Sequence, residues 1–136
     1  MDSHQYLLDT NILSHLIRFP TGPVLNRLES ILPASACTSI VVSAEIHYGL
    51  TKKGSASLTR QARRILKTID VLPLEYPVDE HYGDIRTHLE KVGAPIGGND
   101  LFIAAHARAL GLILVTDNIK EFSRVPDLLI ENWMEK

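Results

Sequence analysis

The segment that most constrains the fold is a run of four aliphatic residues, 112–115, followed at once by Thr116 and Asp117. A short uninterrupted apolar run is typical of a strand buried on both faces in the middle of a parallel sheet. Residues 5–8 form a similar run that ends at Asp9. Because parallel strands are joined by crossover segments, these two runs predict an α/β protein.

Helical patterns separate short strand-like segments along the chain. Residues 78–92 carry apolar side chains at helical spacing and predict an amphipathic helix. Residues 101–110 are apolar almost all round, which indicates a buried helix. The other predicted elements are strands at 37–40, 71–74 and 128–130, and helices starting near Thr10, after Pro23 as far as about residue 32, after Ser39 or Ser43, and over 58–69.

This alternation predicts a single domain over residues 1–136, with a central parallel β-sheet flanked by α-helices in three α/β/α layers. Gly54 and Gly111 follow two of the helical patterns and are predicted to end them. In folds of this class, binding sites form outside the carboxyl ends of the strands. Residues that directly follow strands are therefore the first to consider for function.

Composition narrows the class of protein. Hydrophobic residues make up 45% and charged residues 22% of the chain, as in soluble globular domains. Cys37 is the only cysteine, which excludes an internal disulfide and a cysteine-based zinc cluster. No secretory leader is recognisable and no apolar run is long enough to span a bilayer, so we expect a cytoplasmic protein without membrane contact.

The charge distribution is more informative than the net charge of −2, which is not that of a strongly basic nucleic-acid binder. Residues 52–67 contain six Lys or Arg and no acidic residue. Such a block attracts phosphates. It is equally typical of a solvated helix face, and both interpretations stay open.

Four acidic residues fall where this fold places a site. Asp9 and Asp117 follow predicted strands, and Glu45 lies early in the helix after the second strand. Asp100 opens a later helix behind a glycine-rich loop at 93–98. Taken singly, each acid also suits a helix cap, a favourable charge at a helix N-terminus or an Asx-turn.

Taken together, these acids predict a cation site. Two carboxylates 4 Å apart repel by about 4 kcal/mol at an effective dielectric near 20, and either raised pKa values or a bound cation relieves that cost. Carboxylate oxygens suit Mg²⁺ or Mn²⁺, which can activate water against a phosphodiester. Thr10, Asn11 and Thr116 stand beside the acids. They are predicted either to orient the acids by hydrogen bonds or to serve as caps and turns.

Four motifs carry a resemblance to a known family. Residues 7–12 (Leu-Leu-Asp-Thr-Asn-Ile), 43–49, 98–107 and 114–122 match the successive motifs of PIN-domain nucleases in order and spacing. Over essentially the whole chain, the sequence most resembles the VapC-type toxins of bacterial and archaeal toxin–antitoxin pairs.

The resemblance implies a specific chemistry. Asp9, Glu45 and Asp100 would be metal ligands for Mg²⁺ or Mn²⁺, and Asp117 would complete the site directly or through water, although many VapC-type toxins carry Asn there. The activity implied is endonucleolytic cleavage of RNA, such as tRNA or rRNA. The implied partners are the RNA substrate, a second copy in a homodimer and a cognate antitoxin whose C-terminal segment covers the acidic pocket.

Three other classes of protein share parts of this pattern. A signalling receiver domain needs an Asp at the end of the third strand, where the predicted strand 71–74 has none. A phosphohydrolase using Asp9 as nucleophile normally places a second Asp two residues later, where this chain has Asn11. A PIN-like module that binds RNA or an antitoxin without cutting is the remaining alternative.

Two further residues are predicted to be structural. His106 is predicted to be a buried core histidine, and Trp133 is predicted to anchor the C-terminal segment.

Overall fold

The computed structural model describes residues 4–31 and 33–134 and shows a parallel sheet flanked by helices. The sheet has five strands in the order β3-β2-β1-β4-β5, all paired in parallel. The strands are β1 (Tyr6–Leu8), β2 (Ala36–Ser39), β3 (Asp70–Leu72), β4 (Ile113–Val115) and β5 (Ile130–Glu131). The helices are α1 (Thr10–Arg18), α2 (Pro23–Glu29), α3 (Ile40–Lys53), α4 (Ala56–Leu66), α5 (Val78–Lys91), α6 (Gly98–Leu110) and α7 (Ile119–Phe122), and a 3-10 turn covers Pro33–Ser35.

The register of the sheet brings three strand ends to one level. Leu8, the last residue of β1, pairs with Thr38 on one side and with Val115 on the other. The Asp9 amide then donates to the Val115 carbonyl at 2.9 Å, which extends the pairing by one residue. The residues after β1 and β4 therefore emerge side by side at the carboxyl edge of the sheet, as predicted.

The core lies on both faces of the central strands. The side chains of Leu7, Leu8 and Leu114 are completely buried, as expected for strands with helices packed on either face. A parallel sheet of this kind is stabilised by burial of continuous apolar runs, each large aliphatic side chain contributing about 1.5–3 kcal/mol. Within the described residues, no helix is both long enough and apolar enough to cross a bilayer.

Several predicted boundaries differ from the structure. Helix α2 ends at Glu29, whereas the prediction extended to about residue 32, and Leu32 lies outside the described residues. Ser39, not Ser43, caps α3 by accepting a bond from the Val41 amide, so Glu45 lies in the second turn of the helix. Strand β3 ends before Pro73, whose backbone has no N–H to donate to a ladder.

Helices α4 and α6 also depart from prediction at their ends. Helix α6 begins at Gly98 with Gly97 as its N-cap, so neither Asn99 nor Asp100 is the cap. The Asp100 side chain is thereby free to face other acids. The helix predicted over residues 58–69 is α4, which ends earlier, at Leu66. Ala62 is the one fully buried residue of α4. Gly54 and Gly111 end α3 and α6 in the left-handed conformation, as predicted.

Candidate metal centre

The carboxyl edge of the sheet gathers acidic side chains from both ends of the chain. Asp9 follows β1 as the N-cap of α1, and Glu45 projects from α3. Asp100 lies in the first turn of α6, and Asp117 comes two residues after β4. The charges of Glu45 and Asp117 raise the pKa of Asp9, and those of Asp9 and Glu45 raise the pKa of Asp100. The structure therefore brings the four predicted acids together.

Asp9 is the most deeply placed of the acids, with 5% of its surface exposed. Its Oδ1 accepts the Thr10 amide at 2.8 Å, and its Oδ2 accepts the Thr116 hydroxyl at 2.8 Å. Burial raises the pKa of Asp9, the two hydrogen bonds oppose that rise, and the charges of Glu45 and Asp117 add to it. Both oxygens of this carboxylate are thus held in place by the backbone and side chains of the fold.

Glu45 joins three helices at the site. One carboxylate oxygen accepts the Thr10 hydroxyl, and the other accepts the Asn99 amide Nδ2 at 3.4 Å. These bonds connect α3 to the beginnings of α1 and α6. Thr10 therefore acts on both neighbouring acids, through its backbone on Asp9 and through its hydroxyl on Glu45.

Asp100 faces another carboxyl group rather than a hydrogen-bond donor. The pKa of Asp100 is raised to about 7, first by burial, then by a hydrogen bond with Glu121, and then by the charges of Glu121, Asp9 and Glu45. Two carboxyl groups form a hydrogen bond only when one of them carries a proton. Glu121 itself accepts the Asn118 amide Nδ2 at 2.6 Å, which positions it against Asp100.

Asp117 lies at the rim of the cluster. Its side chain is exposed, and its Oδ1 accepts the Asn11 amide Nδ2 at 3.2 Å. The turn after β4 is made by Thr116, whose hydroxyl oxygen accepts the Asn118 amide at 3.0 Å. Asn11 and Thr116 thus both contact acids of the cluster.

The PIN domain family model matches residues 6–128, which include every residue of this cluster. The chain belongs to the PIN-domain family. Among curated relatives, Ribonuclease VapC2 of Rickettsia felis is 38% identical over 130 residues, covering 94% of this chain and 97% of the relative. The tRNA(fMet)-specific endonuclease VapC of Shigella flexneri is 35% identical over 130 residues, covering 95% of this chain and 98% of the relative.

Solved structures agree with this assignment. VapBC2 from Rickettsia felis, bound to a DNA fragment from its promoter, contains a chain with a TM-score of 0.87 and 38% identity, and the match covers 94% of this chain and 98% of that one. DNA-bound VapBC from Salmonella typhimurium has a TM-score of 0.87 and 31% identity, covering 96% and 98%. The predicted α/β/α fold and the resemblance to VapC-type PIN domains are confirmed.

The donor set of this PIN-domain edge is that of a hard divalent cation. Its candidate ligands, Asp9, Glu45, Asp100, Asp117 and Glu121, all offer carboxylate oxygens. Over residues 4–31 and 33–134, no Lys, Arg or His forms an ion pair with any of these five acids. In the same described ranges, no three or more His, Cys, Asp or Glu side chains are arranged so that they could hold a metal ion as they stand. A bound ion would therefore have to draw the carboxylates closer together.

Sequence reasoning did not assign Glu121, Asn99 and Asn118 to the site of this PIN domain. Glu121 lies four residues after Asp117 and on the short helix α7, a spacing that brings both acids near one strand end. That spacing was the signal available for Glu121. The two asparagines carry no charge pattern, and their contacts appear only once α6 and α7 are placed.

Two other predictions are settled by side-chain surroundings. His106 is 1% exposed, its Nδ1 lies 2.9 Å from the Ser39 hydroxyl oxygen, and burial lowers its pKa, so it is a neutral core histidine as predicted. Trp133 packs edge-on against Tyr6 with ring centroids 5.1 Å apart, and its Nε1 donates to Glu131 at 3.0 Å. It anchors the C-terminal segment, also as predicted.

Proposed function

We propose that this PIN-domain chain is a Mg²⁺- or Mn²⁺-dependent endoribonuclease, the toxin of a toxin–antitoxin pair, which hydrolyses phosphodiester bonds in RNA. The observation that carries the proposal is the gathering of five carboxyl groups at one sheet edge with no cationic partner among the described residues. The names of the curated relatives support RNA as the substrate, and the Shigella flexneri relative supports tRNA as the class to test first.

In this proposal Asp9, Glu45 and Asp100 hold the ion, and Asp117 and Glu121 complete the site directly or through water. The ion, when bound, supplies an activated water and stabilises negative charge that develops on the phosphodiester. Asp9 is suited to be the fixed ligand, since both of its oxygens already have hydrogen-bond donors. Asp100, whose pKa is raised to about 7, would have to lose its proton to hold the ion, because a ligating carboxylate must be ionised.

The neighbouring polar residues fix the ligands in this scheme. Thr116 and Thr10 orient Asp9 and Glu45, and Asn11 positions Asp117. Partners that hold ligating carboxylates by hydrogen bonds typically affect metal affinity or activity by about 10- to 100-fold when they are removed.

The proposal extends to partners. The related solved structures are VapBC complexes, which supports a cognate antitoxin for this chain. We further propose that the chain acts as a cytoplasmic homodimer.

The test uses the purified chain without antitoxin and bulk tRNA as substrate. We expect discrete cleavage products with Mg²⁺ or Mn²⁺, none with EDTA, and none from an Asp9→Asn variant. Asp79→Asn, which removes an exposed acid on α5 outside the cluster, is the matched control and should cut like the wild type. Absence of cleavage of tRNA and rRNA with either ion, combined with tight RNA binding, would instead support a binding module.

A further inference from the structure

A narrow groove opens beside the acidic cluster between α1, α3 and α4. It has a free volume of about 90 Å³, and its lining includes Ser14, Arg18, Glu45, Gly49, Lys53 and Leu58. Glu45 belongs to both the groove and the acidic cluster. The groove is therefore a direct lateral extension of the candidate metal centre.

Two exposed cations without acidic partners line this groove. Arg18 ends α1 and Lys53 ends α3, and neither forms an ion pair with a described residue. Elsewhere in the molecule, the cations Arg86 and Arg108 pair with Glu90 and Asp84. Arg18 and Lys53 thus remain available to an external anion, while Arg86 and Arg108 are already paired within the fold.

The walls of the groove are held together by contacts between its helices. The Gln61 side-chain amide on α4 donates to the Ile17 carbonyl near the end of α1. Ala62, also on α4, is completely buried. Gly49 faces open space, because a Cβ added there would meet no atom within 4 Å. The backbone of α3 therefore forms part of the floor without a side chain to fill it.

We propose that the RNA strand next to the scissile phosphodiester runs through this groove, with Arg18 and Lys53 holding its phosphates. This inference rests on the proposed ribonuclease function. Among the described residues, the lining has two cations, the Glu45 carboxylate and several aliphatic side chains but no aromatic one, so it offers phosphate contacts and no platform for stacked bases. The strand needs such contacts because five clustered carboxyl groups repel its phosphates. Arg60 and Arg63 line the adjoining groove along α4 and continue the basic path away from the site.

The test measures binding of fluorescently labelled bulk tRNA in EDTA, with every protein carrying Asp100→Asn so that no cleavage interferes. Arg18→Gln with Lys53→Gln is expected to weaken binding at least about 10-fold. The slope of log K against log salt should become shallower by about 1.4, because each single-strand phosphate that is no longer neutralised accounts for about 0.7. The matched control is Lys91→Gln with Arg124→Gln. It removes two exposed cations outside the groove that form no ion pair with a described residue, and its binding should stay within about 2-fold of the parent.

A second variant tests the shape of the groove without changing its charge. Gly49→Leu places a side chain in the open space and should weaken tRNA binding by about 5-fold with the salt slope unchanged, since both cations are still present to neutralise phosphates. The variant should melt at least as high as the parent, because glycine within a helix is unfavourable by about 0.5–1 kcal/mol relative to residues with side chains.

Three results would overturn the groove assignment. One is unchanged binding by the Arg18 and Lys53 double variant, and another is an equal loss in the Lys91 and Arg124 control. The third concerns a second probe, an oligo-glutamate peptide. If the Arg18 and Lys53 double variant loses binding to this peptide while its tRNA binding persists, the groove binds an acidic protein segment instead. Failure of the ribonuclease proposal is distinguishable, since it appears as absent cleavage by the chain with Asp100 intact, whatever the binding assays give.

Discussion

The two halves of the acidic cluster are built differently. Around Asp9, both carboxylate oxygens accept hydrogen bonds, from the Thr10 amide and the Thr116 hydroxyl. Around Asp100, the pKa is raised to about 7 by burial, by the neighbouring Glu121 carboxyl and by the charges of Asp9 and Glu45. In the first half, two hydrogen bonds offset part of the cost of burying the Asp9 carboxylate, whereas the second half relies on a proton or a cation to offset that cost. Removing an acid should therefore have opposite effects on stability in the two halves.

The largest expected effect is on cleavage. Asp100→Asn should lower the single-turnover rate at least about 1,000-fold, equivalent to about 4 kcal/mol, because a ligand of the proposed ion is removed. In EDTA, the same variant should unfold at a denaturant concentration no lower than that of the wild type. The reason is that a carboxyl group repelled by neighbouring acids is replaced by a neutral amide. Cleavage above about a tenth of the wild-type rate would exclude Asp100 as a ligand.

The next effect is on stability in the Asp9 half. Asp9→Ala removes the N-cap of α1 and leaves the buried Thr116 hydroxyl without its partner, so it should lower the free energy of unfolding by about 2 kcal/mol. Asp9→Asn keeps a cap and an acceptor and should cost less than about 1 kcal/mol. Urea titrations of both variants in EDTA measure the difference. Equal losses would show that the hydrogen bonds do not stabilise this half.

The pH dependence of stability tests the Asp100 half by itself. An unfolded Asp titrates near pH ~4, and the pKa of Asp100 in the folded protein is about 7, so the folded state binds this proton more tightly. The contribution of Asp100 to stability is therefore full below about pH 4 and is lost as pH rises through about 7. In EDTA, wild-type stability should fall relative to Asp100→Asn over that window, and saturating Mn²⁺ should remove the fall. Parallel curves for the two proteins would contradict the raised pKa of Asp100.

The smallest effect compares two threonines. Thr116→Val removes a buried hydroxyl that donates to Asp9 and accepts the Asn118 amide, and should cost about 1–2 kcal/mol in urea unfolding. Thr10→Val removes a bond to half-buried Glu45, where water can substitute, and should cost about 0.5 kcal/mol. A larger loss for Thr10→Val would place the rigid part of the site at Glu45 instead of Asp9.

The sequence alone located the acids that follow strands. Asp9 and Asp117 were placed by the rule that residues after parallel strands meet at one edge, which requires only the apolar runs before them. Glu45 lies in the second turn of α3 and Asp100 in the first turn of α6, so their positions depend on helix orientation. The motif match to PIN domains, rather than periodicity, supported those two.

The remaining features depend on contacts between segments far apart in the chain. Glu121 interacts with Asp100 although the rest of α6 and all of β4 lie between them in the chain, and Asn99 reaches Glu45 across 54 residues. The N-cap of α6 at Gly97 was missed because Asn99 and Asp100 have stronger capping preferences than glycine. Local propensity describes each helix end by itself and contains no information about such neighbours.

The position of β1 at the centre of the sheet has a consequence for synthesis of this protein. Of the five described strands, β1 comes first in the sequence, yet its partner β4 begins only at Ile113. A chain interrupted before Asp100 carries Asp9 and Glu45 but neither β4 nor the Asp100–Glu121 pair. A nascent or truncated product of that kind cannot assemble the cluster. The order of strands thus delays any hydrolytic capacity until nearly all of this sequence has left the ribosome.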